Sequence, residues 1–136
     1  MPWYESTEFD IFYISFDEPD YKKNYADLLL KAPWAQHVHG VIGFDNAHKE
    51  CARRSSSERF ISVDGDNIVD EVFFDRKILI EPEHKESIFS WSSKNHVNGL
   101  IYGNGGLKLW PVDVTLNMKT HENSEVEAAA VDFCWI

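Results

Sequence analysis

One apolar run near the start of the chain, FDIFYISF at residues 9–16, predicts the central strand of a buried sheet. Aromatic and β-branched residues fill it, and such continuity is typical of a strand covered on both faces. The segment DEPD (17–20) ends the strand, because proline cannot extend a hydrogen-bond ladder, and Asp20 is expected to cap a helix. Apolar residues at helical spacing then continue to Ala32, and Pro33 ends the helix.

The next segments repeat this alternation of strand and helix. VHGVIG (38–43) predicts a second strand, and a second helix follows, with Asp45 or Asn46 as its cap and Arg53 and Arg54 near its end. FISV (60–63) predicts a third strand. This order is the pattern of a parallel sheet with right-handed crossovers. We therefore expect an α/β, Rossmann-like sheet with flanking helices.

The second half of the chain predicts short β segments in place of further helices. We expect them at residues 72–74, 78–80, 88–91 and 107–110, with turn-rich links between them. The last residues, VDFCWI (131–136), are apolar enough to belong inside a fold. This run either docks into the sheet or marks a minimal or C-terminally truncated domain. One domain over residues 1–136 suits the length.

Composition excludes several classes of protein. The formal net charge of -10 disfavours nonspecific attraction to DNA, whose binding depends on Lys and Arg contacts to phosphate. No apolar run approaches the roughly 20 residues needed to span a bilayer, and the start of the chain lacks a secretory signal. Cys51 and Cys134 lie far apart in sequence and are expected to be reduced thiols. These features predict a cytoplasmic protein with no membrane partner.

Acidic residues follow each of the three predicted strands. Asp17 and Glu18 follow the first, Asp45 the second, and DGD (64–66) the third. In parallel sheets, ligands gather beyond the carboxyl ends of the strands. Asp64 and Asp66, separated by one glycine, could both approach a hard cation and leave coordination positions for phosphate oxygens. Asp-Gly-Asp is also an ordinary tight turn, so both interpretations stay open on this pattern alone.

Two other groups of residues permit a functional and a structural interpretation. Residues 95–108 are rich in Gly and Asn, which favours hairpin turns but also lets a backbone approach a ligand closely. Trp91, Tyr102 and Trp110 could stack on a ring, although most aromatic residues build the core. His37 and His39 flank Val38 on a predicted strand, and we expect them to be surface or hydrogen-bonded residues and not ligands.

Several blocks, taken in their order along the chain, resemble the TET-associated glycosyltransferases. They are FYISFDEP (12–19), FDNAHK (44–49), VDGDN (63–67) and NGLIYGNGGLKLWP (98–111). Members of this family are compact GT-A-like enzymes, encoded largely by tailed phages and linked to glycosylation of 5-hydroxymethylpyrimidines in DNA. The resemblance extends from about the tenth residue to Pro111.

The resemblance implies a compact GT-A-like fold with a β-rich second half and a metal-dependent activity. A sugar would pass from a nucleotide-diphosphate donor, a UDP-sugar, to a 5-hydroxymethylpyrimidine such as 5-hydroxymethylcytosine in DNA. The compartment would be the host cytoplasm for a phage protein. Two alternatives come from other classes: a noncatalytic module that binds nucleotide sugars or nucleic acid, and a metal-dependent nucleotidyl- or phosphohydrolase that would use the same carboxylates on phosphorus.

The resemblance also implies roles for individual residues. Asp64 and Asp66 would hold Mn²⁺ or Mg²⁺. His121 and Asp132 are the candidates for a catalytic base or a third metal ligand. The residues expected to contact the nucleotide sugar are Ser15, Asp17, Glu18, His48, Lys49, Asn98, Gly105, Gly106 and Lys108. His48 and Lys49 would lie in a helix whose amino end faces the pyrophosphate, where backbone N–H groups favour anions.

Overall fold

The computed structural model of the chain describes residues 3–65, 67–91, 93–94, 101–102, 106–118 and 133–135, and only the backbone at 93–94, 101–102 and 133–135. The strands are β1 (Trp3–Glu5), β2 (Asp10–Ser15), β3 (Gln36–His39), β4 (Arg59–Asp64), β5 (Lys77–Leu79), β6 (Ile88–Ser90), β7 (Ser93–Lys94), β8 (Ile101–Tyr102), β9 (Leu107–Pro111) and β10 (Phe133–Trp135). The α-helices are α1 (Tyr21–Lys31), α2 (Phe44–Arg54) and α3 (Val112–Asn117). Short 3-10 helices cover Ser6–Glu8, Glu71–Asp75 and Pro82–His84.

The main sheet has six strands in the order β10-β6-β9-β4-β2-β3. Strand β2 is an inner strand, second from the β3 edge and not at the centre of the sheet, and it pairs in parallel with β3 on one side and β4 on the other. Strand β9 runs antiparallel to both β4 and β6. Two smaller pairs, β1 with β5 and β7 with β8, are antiparallel. The chain is therefore a mixed α/β domain, which confirms the predicted α/β class at this level.

Side chains of β2 alternate between two apolar clusters, one on each face of the sheet. Ile11 and Tyr13 enter the cluster that contains Leu28 of α1. Phe12, between them in sequence, enters the cluster that contains Cys51 of α2. Helices α1 and α2 therefore cover opposite faces. This arrangement explains why the first run reads as continuously apolar, since neither face of β2 meets water.

Four local predictions differ from the structure. Residues 72–74 belong to a 3-10 helix and not to a strand, because the Asp70 carboxylate accepts the Val72 N–H at 3.0 Å and favours a helical turn. Strand β3 ends before Gly40, whose φ of 77° cannot continue a strand. Helix α2 begins at Phe44 with Gly43 at the N-cap, ahead of the expected caps. Asp20 occupies the N-cap of α1 but makes no side-chain capping bond among the described residues.

Residues 133–135 pair with the main sheet, which is one of the two alternatives expected for the segment 131–136. Strand β10 pairs in parallel with β6, with Phe133 opposite Ile88 and Trp135 opposite Ser90. It thereby forms the edge of the six-stranded sheet opposite β3. Within the described ranges, no helix has both the length and the apolar character that crossing a membrane requires.

The core on the α2 face depends on a group of aromatic rings around Phe60. This residue is fully buried, meets Phe12 edge-on at 5.8 Å and stacks on Trp110 at 6.3 Å between centroids. We expect Phe60→Ala to lower the free energy of unfolding by about 3–5 kcal/mol in urea titrations. Leu30→Ala, at an 85% exposed position of α1, is the control and should change it by less than about 0.5 kcal/mol. Equal effects of the two substitutions would contradict this assignment of the core.

Candidate functional site

A cavity of about 570 Å³ opens at the carboxyl ends of β2, β3 and β4, and we call it the strand-end pocket. Its walls include Ser15, Phe16 and Glu18 after β2, Phe44 and His48 of α2, and Asp64 at the end of β4. The cavity forms here because the chain leaves β2 toward one face of the sheet and leaves β3 toward the other. Such a divergence of loops produces a crevice where ligands of α/β sheets bind.

The mouth of the strand-end pocket is apolar and exposed. Phe16 is 50% exposed, Ile42 77% and Phe44 42%. Three large apolar side chains that share one opening mark a binding surface more strongly than isolated exposed residues do. The rest of the lining includes the polar side chains of Ser15, Glu18, His48 and Asp64, so the pocket offers hydrogen-bonding groups beside its apolar mouth.

Glu18 is held in the pocket by its own loop. Its carboxylate accepts the Phe16 N–H at 2.7 Å and lies directly over Gly65. A Cβ at Gly65 would collide with the Glu18 Oε1 and would come within 3.0 Å of the Ile14 carbonyl oxygen. The glycine of the DGD turn is therefore needed for the close approach of this carboxylate, and not only for the turn itself.

The turn after β4 packs against the start of β9. The Asp64 N–H donates to the Gly106 carbonyl at 2.9 Å. A Cβ at Gly106 would lie 2.9 Å from the Asp64 Cβ and would collide with the Asn67 amide, so only glycine fits here. Burial lowers the pKa of the Lys108 ammonium, whereas the nearby Asp64 carboxylate raises it. A cation and a carboxylate therefore stand close together at the end of the sheet.

His48 is a neutral, buried hydrogen-bonding group in the pocket wall. Its Nδ1 lies 2.8 Å from the Phe44 carbonyl, and its ring packs on Phe44 at 4.2 Å and on Trp110 at 4.6 Å. Because a carbonyl only accepts, Nδ1 carries the proton and Nε2 is left as an acceptor. Burial lowers the pKa of His48 to about 4, so the ring is uncharged at neutral pH.

Ser15 lies between two histidines in a cluster that the sequence analysis did not select. Its Oγ is 2.6 Å from the His37 Nε2 and 2.7 Å from the His39 Nδ1, and we call these residues the His–Ser–His cluster. Tyr21 stacks on His39, and Tyr25 packs on His37, each at 4.5 Å between centroids. Desolvation, followed by the proximity of His39, lowers the pKa of His37. The sequence signal for this cluster is the two-residue spacing of His37 and His39, which places both imidazoles on the same face of β3, beside Ser15.

The structure brings part of the predicted site together. Ser15, Glu18, His48 and Asp64 line one cavity, and Gly106 and Lys108 lie beside Asp64. Asp17 is exposed and Lys49 half-buried, and neither is among the lining residues of the cavity. The other predicted site residues lie outside the described residues: Asp66, Asn98, Gly105, His121 and Asp132.

The described part of the chain does not by itself assemble a metal site. Within it, no group of three or more His, Cys, Asp or Glu residues is arranged to hold an ion. Asp64 is placed at the pocket, whereas its predicted partner Asp66 lies outside the described residues. The Glu18 carboxylate is already engaged by the Phe16 N–H. The Asp64–Asp66 metal pair therefore stays a prediction from the sequence.

Comparison with known proteins gives little similarity. No family model matches the chain, and no curated protein matches it. Among solved structures, the chain is similar to HddC from Yersinia pseudotuberculosis, at 15% identity and a TM-score of 0.43, over 90% of this chain and 65% of that one. A likeness at this level assigns neither a fold family nor an activity. The resemblance to TET-associated glycosyltransferases stays a prediction.

The predicted transfer of a sugar to 5-hydroxymethylpyrimidines in DNA is corrected. The comparisons give it no support: no family model and no curated protein matches, and the solved structure with a likeness to the chain is HddC. The predicted mechanism also required a metal ion held by carboxylates. The described residues contain no group of three or more His, Cys, Asp or Glu arranged to hold one. The strand-end pocket itself does not depend on that reaction, because its lining is defined by the described residues.

The buried His48 generates a prediction about pH. Its pKa in the folded protein, about 4, lies below the ordinary value of 6.5, so the unfolded chain binds a proton more readily. The contribution of the neutral His48 ring to the free energy of unfolding is therefore fully present above pH 6.5, and it declines as the pH falls from 6.5 toward 4. Between pH 7.5 and 5 this amounts to about 2 kcal/mol. We expect His48→Phe to remove that part of the decline in urea titrations, whatever its effect at pH 7.5.

Proton NMR provides an independent measurement of the same group. The imidazole C–H signals of His48 should not shift until the pH falls below about 5. An inflection near the ordinary histidine pKa would show that the ring is solvated and would contradict its place in the pocket wall. The His48→Phe spectrum identifies which signal belongs to this residue.

Proposed function

We propose that the protein binds a nucleotide, with the nucleoside part held in the strand-end pocket. The observation that carries this proposal is the combination, in one cavity, of an apolar aromatic mouth with two carboxylates, Glu18 and Asp64. The position at the carboxyl ends of parallel strands adds to it, because α/β sheets bind nucleotides there. A GT-A-like class of fold belongs to the proposal and draws its support from the parallel β3-β2-β4 core.

The carboxylates determine what kind of ligand fits. An ionised carboxylate only accepts hydrogen bonds, so Glu18 and Asp64 require a ligand that offers O–H or N–H groups. The vicinal hydroxyls of ribose meet this requirement, and an acidic residue commonly accepts from them in sheets of this kind. A bare phosphate does not fit, since like charges at close range repel.

The aromatic mouth suits the base of the same ligand. Phe16 and Phe44 present partly exposed rings on two sides of the opening. Stacking of a base on an aromatic side chain contributes about 1–3 kcal/mol and does not depend strongly on which base is present. The uncharged Nε2 of His48 offers an additional acceptor in the wall. The pocket therefore favours nucleosides as a class.

The phosphates would extend toward Lys108. Its ammonium stands near Asp64, at the start of β9. The first turn of α2 is less suitable, because it already contains the fully buried Asp45. A divalent cation would join Asp64 to a phosphate oxygen if the Asp64–Asp66 prediction holds. No part of the nucleoside contact depends on that cation.

Calorimetric titration with uridine, adenosine and UDP, each with and without Mn²⁺, tests the proposal. We expect a nucleoside to bind without metal. Glu18→Gln should weaken binding about tenfold or more, because hydrogen bonds to charged groups contribute about 1.5–3 kcal/mol. Phe44→Ala should weaken it about tenfold through lost stacking. Leu30→Ala, on exposed α1 surface, is the matched control and should bind like the parent.

Ligand analogues separate the two contacts. A 2′,3′-dideoxynucleoside should bind the parent protein more weakly than the ribonucleoside does, by the same factor as Glu18→Gln weakens binding of the ribonucleoside. In the Glu18→Gln variant, the two compounds should bind with equal affinity. Equal binding of the ribo and dideoxy compounds would contradict the carboxylate–ribose contact. Failure of every nucleoside to bind, in a protein that unfolds cooperatively, would overturn the proposed function.

A further inference from the structure

A second cavity lies on the opposite side of the main sheet from α2, between β5, β6 and β1. It measures about 400 Å³, and we call it the β5–β6 pocket. It has no lining residue in common with the strand-end pocket. None of the motifs in the sequence pointed to it, because its walls come from segments far apart in the chain.

The floor of the β5–β6 pocket is aromatic and rigidly held. Phe89 is 2% exposed and Trp91 is 7% exposed. The Trp91 ring meets Phe73 edge-on at 4.9 Å, which fixes its plane. Trp3, which is 50% exposed, stands at the rim. Two indole rings around one opening offer flat surfaces on which an aromatic ligand can stack.

Two cationic residues line the same opening. Arg76 and Lys77 are both exposed, and His84 is a further lining residue. Among the described residues, no ion pair or side-chain hydrogen bond is recorded for Arg76 or Lys77. The Arg59 guanidinium, which is not part of the lining, lies over the Phe89 ring at 5.8 Å from its centre. Only one acidic residue, Glu81, is part of the described lining.

This concentration of cations contrasts with the rest of the molecule. The chain carries a formal net charge of -10, yet two exposed cationic residues line one small cavity. Charge of one sign around a cleft attracts ligands of the opposite sign. Stacked aromatic rings with adjacent cations are the combination that recognises a planar ring bearing an anionic group.

We propose that the β5–β6 pocket is a second binding site, and that it takes a small planar aromatic compound carrying a phosphate. The ring stacks on the exposed Trp3 indole at the rim, above the aromatic floor, and the phosphate lies beside the cationic residues Arg76 and Lys77. A volume of about 400 Å³ holds one such compound but not a folded partner. The net charge disfavours a longer nucleic acid strand.

Phenyl phosphate is the probe, because it lacks the ribose hydroxyls that the Glu18 and Asp64 carboxylates would bind in the strand-end pocket. Titration followed by amide NMR shifts should place binding at residues 76–79 and 88–91, with the residues after β2 unaffected. Phenol and inorganic phosphate, tested alone, should each bind at least about tenfold more weakly, since each loses one half of the contacts. Binding should weaken as salt is added.

Charge variants provide the matched comparison. Arg76→Gln should weaken binding of phenyl phosphate about tenfold, because a charge-assisted hydrogen bond is lost. Lys23→Gln, which removes the same charge from exposed α1 surface, should leave it unchanged. Glu81→Gln should tighten binding by removing the opposing charge. Trp3→Ala, at the exposed rim, should weaken it without unfolding the protein.

Three results would overturn the proposal. One is equal binding of phenyl phosphate and inorganic phosphate, which would indicate charge alone. Another is equal loss in Arg76→Gln and Lys23→Gln. The third is NMR shifts confined to the strand-end pocket. A failure here would leave the nucleoside site unaffected, because Glu18→Gln tests that site with different ligands.

Discussion

The parallel pairing of β2 with both β3 and β4 is the constraint on which the rest of the structure depends. It fixes β2 between two strands, and the apolar clusters that include residues of α1 and α2 cover its two faces, which explains the continuous apolar run. It also forces the connections after β2 and β3 to opposite faces, as the separate clusters around α1 and α2 show. The same divergence opens the strand-end pocket. Fold and site therefore have one origin, the position of β2 between two parallel neighbours.

The sequence predicted elements well where one physical factor was dominant. Apolar runs identified β2, β4, β6 and β9, because burial of these strands leaves a strong pattern. Predictions failed where backbone geometry or a single side chain decided the outcome. Residues 72–74 look like a strand, yet the Asp70 carboxylate turns them into a 3-10 helix. The left-handed φ of Gly40 and Gly43 is equally invisible in apolar periodicity.

The candidate site was predicted in part, and the reason lies in what sequence spacing can show. Ser15, Glu18 and Asp64 follow strands, and parallel strands end at one edge, so their meeting could be anticipated. The His–Ser–His cluster required the register between β2 and β3, in which Ser15 stands opposite His39. Sequence does not provide register between neighbouring strands. The β5–β6 pocket is still less accessible, since it joins segments from residue 3 to residue 91.

Charge separates the two pockets more clearly than shape does. The strand-end pocket holds Glu18 and Asp64 and so favours ligands rich in hydroxyl donors. The β5–β6 pocket presents Arg76 and Lys77 and so favours anions. The net charge of -10 repels anions from most of the protein surface, whereas the cations that line this cavity attract them locally. An anionic ligand without ribose would therefore be directed to the β5–β6 pocket, whereas the ribose hydroxyls of a nucleotide would favour the carboxylates of the strand-end pocket.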